Sequence, residues 1–327
     1  MKTILFFNNK GGVGKTTLAY HLTWMLAEMG HRCLAIDLDP QANLSASLLQ
    51  AEELERIYTP ENDRETILAG IKLLNKGIGD IQPVKIHDIS QNIGLLAGDL
   101  ELSMFEDKLS DSWGKCLNKD EYAFRITSAI YRIIQEAGKR YKADYCLLDA
   151  GPNFGDINRT TLIAADYLII PAAADLFSLQ GLKNVGNRLE TWKSEWNDRK
   201  VRNPEPDLML PPGDIVPLGY VVMQHGIKES RPVKSYRAWA DRIPDVFSEY
   251  VKKNNIFSSV SIEQDENCLA LLKHYHSLIP MSMETHKPIF LLKPADGAIG
   301  AHLGAVKRSY QDFETLAQKI IQLIANS

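Results

Sequence analysis

Short apolar runs alternate along this chain with longer stretches in which apolar residues recur every three to four positions. The runs Thr3–Phe7, Cys33–Ile36, Ile93–Leu96, Tyr145–Leu148, Tyr167–Ile170 and Leu218–Met223 have the length and composition of buried strands. Between the first two, Leu18, Leu22, Met25, Leu26 and Met29 mark one face of a helix that Gly30 closes. A second helix carries Ile126, Ala129, Ile130, Ile133, Ile134 and Ala137 at the same spacing. Trp192 and Trp196 extend the stripe of Leu182, Val185 and Leu189, so they read as core rather than as a ligand box. Strand and helix patterns in alternation predict a doubly wound, mostly parallel α/β sheet flanked by helices.

Breaks in the pattern are few. The stretch from Asn203-Pro204-Glu205-Pro206 to Pro211-Pro212-Gly213 is a loop, and strand-like sequence resumes after it. No repeat or low-complexity tract divides the chain. The reading is a single domain over residues 1–327 with insertions around 50–90 and 225–275. The 327 residues suffice for a large core, and 45% hydrophobic with 24% charged residues is ordinary for a globular protein. A net charge of −4 means that any nucleic-acid surface must be local. Cys33, Cys116, Cys146 and Cys268 form no CxxC pair, which argues against zinc or a disulfide framework and fits a reducing cytoplasm. The apolar run at Met1–Phe7 is too short for a signal peptide, and no stretch approaches the ~20 apolar residues of a membrane-spanning helix.

The chemistry concentrates in Asn8-Asn9-Lys10-Gly11-Gly12-Val13-Gly14-Lys15-Thr16-Thr17, between an apolar strand and an amphipathic helix. That context separates a phosphate loop from a chance glycine turn. Gly11, Gly12, Val13 and Gly14 let backbone N–H groups turn toward one anion, and the helix N-terminus adds partial positive charge. Lys15 is placed to reach the β- and γ-phosphates, and the Thr16 hydroxyl to sit on Mg²⁺, with Thr17 beside it. Asn9 stands where the usual pattern has its first glycine, and Lys10 precedes the glycine pair.

The run from Lys10 to Thr17, followed by Asp37-Leu38-Asp39-Pro40-Gln41-Ala42-Asn43, closely resembles the deviant Walker A ATPases, the group of ParA, Soj and MinD. The resemblance implies a P-loop NTPase fold, Mg²⁺ and ATP as ligands, hydrolysis of ATP, and a homodimer in the ATP state. It implies that Lys10 crosses the dimer to the partner's nucleotide and that Asp39 positions the attacking water and Mg²⁺. Asp149, closing Tyr145-Cys146-Leu147-Leu148, matches the Walker B aspartate that holds Mg²⁺ through water, though Ala150-Gly151-Pro152-Asn153 keeps only one of the family's two following prolines. Gln224 and Pro280 fall where the family contacts adenine. Arg231–Tyr236 and Lys287-Pro288-Ile289 are closer to ParA than to MinD.

The same resemblance implies non-specific DNA binding through late basic patches, an adaptor of ParB-like role, and a cytoplasmic, nucleoid-associated protein. Basic residues do gather at Lys183–Arg202 and Lys228–Arg242, yet a mixed-charge solvated face has the same composition. The C-terminal stripe of Phe313, Leu316, Ala317, Ile320, Ile321 and Ile324 has only Lys319 as a basic residue after Arg308, so it reads as packed on the sheet rather than on a membrane. His274, His276 and His286 lack ligand spacing. Two alternatives remain open: a nucleotide switch in a protein assembly without DNA, and a metabolic ligase of related fold.

Overall fold

In the computed structural model, eight strands form one sheet in the order β3-β4-β2-β5-β1-β6-β7-β8. They are β1 (Lys2–Phe6), β2 (Cys33–Asp37), β3 (His87–Ser90), β4 (Ile93–Leu96), β5 (Tyr145–Asp149), β6 (Tyr167–Ala172), β7 (Val216–His225) and β8 (Cys268–Lys273). Every pairing is parallel except β3 with β4 at one edge. The structure describes residues 1–59, 65–225, 233–254, 260–273, 275 and 277–327.

The helices are α1 (Lys15–Glu28), α2 (Asn43–Leu48), α3 (Ala51–Tyr58), α4 (Ile67–Lys76), α5 (Glu106–Lys115), α6 (Glu121–Thr127), α7 (Ala129–Tyr141), α8 (Asp156–Ala164), α9 (Leu176–Lys200), α10 (Val233–Ala240), α11 (Ile243–Val246), α12 (Leu278–Thr285) and α13 (Ala301–Ala325). Successive strand residues point to opposite faces, and both faces are dry. Leu5, Leu34, Ile36, Leu148 and Ile170 enter one core with α4, α7 and α9. Ile4, Phe6, Leu147 and Ile169 enter the other with α1 and α13. Burial on both sides is why the central strands read as unbroken apolar runs.

The register places the functional ends level. Phe6 pairs with Asp149, and Asp149 with Asp37, across three neighbouring strands. The chain therefore leaves β1, β2 and β5 at one height, at the carboxyl edge where open α/β sheets bind ligands.

Several expectations are refined. The periodic segment 126–137 is two helices, α6 and α7, joined at Ser128, whose φ of −89° and ψ of −4° take it out of regular helix; all six stripe residues are buried. Strands β3 and β8 were not foreseen, and both lie within stretches expected as insertions. Of β3 only His87 is buried, so no apolar run marks it. The β8 run, Cys-Leu-Ala-Leu-Leu-Lys, has no β-branched residue and is as compatible with helix as with strand. The C-terminal stripe packs inward: Phe313, Leu316, Ala317, Ile320 and Ile324 of α13 are buried, with Ile321 partly so. Trp196 is fully buried and Trp192 nearly so. No helix among the described residues is long and apolar enough to cross a membrane.

Candidate functional site

The loop after β1 turns on two left-handed glycines, Gly12 (φ 73°) and Gly14 (φ 86°). A Cβ at Gly14 would also stand 2.8 Å from Met223 Cε, so the end of β7 supports the loop from below. Asn8 is fully buried and its amide donates to Pro171 O at 2.7 Å, tying the loop to β6. Asn9, the departure from the usual glycine, has its side-chain carbonyl oxygen without a hydrogen-bond partner among the described residues, beside Gly181 of α9, where an added Cβ would lie 3.1 Å away. α1 then begins at Lys15 with no side chain capping its first turn. Its free N–H groups and dipole face the loop, an arrangement suited to an anion.

Lys15 is only 7% exposed, and its ammonium donates to Lys10 O at 3.2 Å. Burial lowers its pKa, opposed by Asp149 and Asp39. Asp149 is fully buried, and neither carboxylate oxygen has a hydrogen-bond partner among the described residues. Burial, then Asp37 and Asp39, push its carboxyl well above the usual range, while the Thr16 hydroxyl and Lys15 pull the other way. An orphaned carboxylate beside a threonine hydroxyl and two further aspartates fits a hard cation such as Mg²⁺. Among the described residues no three His, Cys, Asp or Glu form a metal cage.

The other two aspartates are handled differently. Asp37 accepts from Ser45 N (2.8 Å), Ser45 Oγ (2.7 Å) and Asp39 N (3.2 Å). Burial raises its carboxyl to about 6, against the Ser45 bonds. It therefore anchors α2 rather than facing the cleft. Asp39, 7% exposed, lines the cleft and accepts from Gln41 N at 3.0 Å. Gly151, just after Asp149, passes beside it, and Asn158 Nδ2 holds that segment through Gly151 O and Asn153 O.

Together these elements enclose a cleft of about 640 Å³ lined by Gly11, Gly12, Gly14, Lys15, Thr16, Thr17 and Asp39 on one side. Ile279, Ser282 and Met283 of α12 form the other wall. Sequence reasoning missed these three and Ser45; only their place in the fold reveals them. Val13 is buried beneath the loop. Pro280 is exposed on α12 next to the lining residues, and the Gln224 side chain lies outside the described residues.

Lys10 bonds within its own chain, to Asp175 Oδ2 at 2.5 Å and Ser178 Oγ at 3.4 Å. Asp175 caps α9 through Ser178 N. Burial alone would raise the Asp175 carboxyl, but Lys10 and the cap bonds hold it below its ordinary value.

The basic stretch on α9 is largely committed to local partners. Arg199, expected at the surface, is 8% exposed: it donates to Trp113 O at 2.7 Å and lies over the Trp113 ring. Lys193 pairs with Asp214, Arg202 with Asp198, and Lys200 donates to Pro212 O. In the second stretch Arg237 meets Asp241 and Glu263, and Arg242 lies over Trp239. Residues 228–232 of that stretch, and His274 and His276, lie outside the described residues.

A family model described as "AAA domain" matches residues 1–201. The chain is 33% identical over 202 residues to uncharacterized protein MJECL24 of Methanocaldococcus jannaschii, covering 62% of this chain and 70% of that one. It is 31% identical over 181 residues to the chromosome-partitioning ATPase Soj of Treponema pallidum, covering 55% and 60%. In fold it is similar to protein DIP2308 of Corynebacterium diphtheriae (TM-score 0.73, 23% identity, 100% of both chains). It is likewise similar to pNOB8 ParA bound to nonspecific DNA (TM-score 0.60, 19% identity, 100% and 99%). With the deviant loop at Lys10–Thr17 and the aspartates of β2 and β5 level beside it, the chain belongs to this AAA-domain family as a ParA/MinD-type P-loop ATPase.

Proposed function

We propose that the protein binds Mg-ATP in this cleft, dimerises around it, hydrolyses the γ-phosphate slowly, and uses the cycle to position or partition a cargo on DNA. The observation that carries this reading is the convergence of an uncapped helix N-terminus, the buried Lys15 and the orphaned Asp149. The loop N–H groups and Lys15 bind and orient the triphosphate. Thr16 and Asp149, with Asp39 nearby, would hold Mg²⁺, which when bound neutralises phosphate charge. Asp39 orients the attacking water. Lys10 leaves Asp175 and reaches the partner's nucleotide when two copies meet, adding a cation only in the dimer. An adaptor of ParB-like role triggers hydrolysis, and the ATP dimer holds DNA without sequence preference; the names of Soj and of DNA-bound ParA among similar proteins support the DNA part.

Lys15→Ala tests the core of the reading. ATP affinity, measured by titration of the full chain, should fall at least about a hundredfold, because Lys15 makes charge-assisted contacts and no neighbouring side chain replaces it. Near-normal binding and turnover would overturn the assignment.

One observation favours a second reading, a nucleotide switch in a protein assembly without DNA. On α9, Lys193 and Arg202 are paired with carboxylates and Arg199 is buried, and the net charge is −4. Retention of random duplex DNA with and without ATP separates the two.

A further inference from the structure

The phosphate loop accounts for one wall of the cleft, and α12 supplies the other without any bond from its lining side chains to the loop. Ser282 Oγ is spent on Lys287 O at 2.5 Å, leaving a largely apolar wall with Ile279 and Met283. Two histidines hold this wall, His286 and the cleft-lining His21. His286, at the C-cap of α12, sits at φ 50°, a left-handed conformation unfavourable for a residue with a Cβ. Its Nδ1 donates to Ser47 O at 3.1 Å. Ser47 belongs to α2, the helix that Asp37 anchors through Ser45, and it also lines the cleft.

His21 makes the second tie. Its Nδ1 donates to Thr17 O at 2.7 Å in the first turns of α1, so Nε2 is left to accept from Ile289 N, at 3.3 Å. The ring stacks on Phe313 at 4.9 Å and meets Phe290 edge-on. The turn after α12 is thereby fixed to the helix that carries Lys15, Thr16 and Thr17.

We infer that His286 and His21 are positioning residues that set the α12 wall against the phosphate loop, so that the base and sugar of a nucleotide are gripped at a fixed distance from Lys15. This rests on ATP occupying the cleft. Glycine would adopt the His286 backbone without strain, so the turn itself does not require an imidazole, whereas the bond to Ser47 O does require its donor. An apolar wall with few polar groups suits the flat face of a base.

The test compares two probes on the full chain: ATP, and inorganic tripolyphosphate, which has no base or sugar. His286→Gly should weaken ATP about three- to tenfold, the range for losing one hydrogen bond. It should leave tripolyphosphate affinity and the melting midpoint unchanged. His286→Asn, which tolerates the left-handed backbone and keeps a donor, should restore ATP affinity. His21→Phe, which keeps the stack but neither bond, should repeat the selective loss and provides the test if His286→Gly does not fold. Unchanged ATP affinity in the folded variants, or equal loss for both probes, would overturn the inference. Failure of the wild-type chain to bind either probe would instead overturn the nucleotide reading on which it stands.

Discussion

The carboxylates of Asp37, Asp39 and Asp149 lie near one another at the carboxyl edge of the sheet, yet their surroundings assign them different work. Asp37 is saturated by Ser45 and the Asp39 N–H, and Asp149 is fully buried beside Thr16 and Lys15; Asp39 combines access to the cleft with a fixed orientation. Asp39→Ala should therefore keep ATP binding but slow single-turnover hydrolysis by a factor on the order of 10²–10⁴. Wild-type turnover in that variant would move the role to another group. His21 gives a prediction of a different kind. Burial lowers its pKa from 6.5 to about 4, because a charged imidazole among Tyr20, Phe290 and Phe313 loses its hydration. The unfolded chain takes up this proton first as pH falls. The stability tied to neutral His21 is thus complete above about pH 6.5 and is lost as pH drops toward 4, on the order of 3 kcal/mol in all. Urea unfolding across that window should show a shallower acid limb in His21→Phe; an unchanged slope would remove His21 as its source.

Among the elements, α9 does most to define both the site and the core. Asp175 caps it, its second turn accommodates Asn8 and Asn9 through Gly181, and its far end fills the Trp113–Trp196 cluster. In between, Gly186 crosses the π-turn Phe247–Val251 so closely that an added Cβ would lie 2.2 Å from Tyr250 O. Backbone there cannot yield as a flexible side chain can. Gly186→Ala should cost about 2 kcal/mol or more in denaturant unfolding, in the range of overpacked cores. Gly114 of α5 is exposed, with nothing within 4 Å, and Gly114→Ala should gain roughly 0.5–1 kcal/mol from helix propensity. Equal effects at the two sites would refute the packing argument.

At the scale of the whole molecule, the proposed nucleotide cycle predicts how the chain meets DNA. If the ATP dimer holds DNA, affinity should be indifferent to sequence and fall with salt at a slope near −0.9 per neutralised phosphate. Lys10→Ala should prevent both the dimer, seen by light scattering with ATP, and the DNA retention. Lys200→Glu with Arg202→Glu should weaken retention while basal ATPase persists; Arg199 is unsuitable for such a test because it is a core residue of the tryptophan cluster. No ATP-dependent retention at low salt would leave the protein-assembly switch.

The phosphate loop and the strand-terminal aspartates were legible in the sequence because each is a local device: a glycine turn between a strand and a helix, and a carboxylate where an apolar run stops. The apolar runs likewise determined a parallel sheet buried on both faces. What they left undecided is non-local. That Phe6, Asp149 and Asp37 come level depends on strand register between segments more than a hundred residues apart. That Asp37 supports and Asp39 faces the cleft depends on Ser45, a residue of the next helix. The edge strands β3 and β8, the burial of Arg199, and the α12 wall held by His21 and His286 were decided by packing alone. A side chain's type fixes which bonds it can make; only the folded chain fixes which partners come within about 3 Å of it.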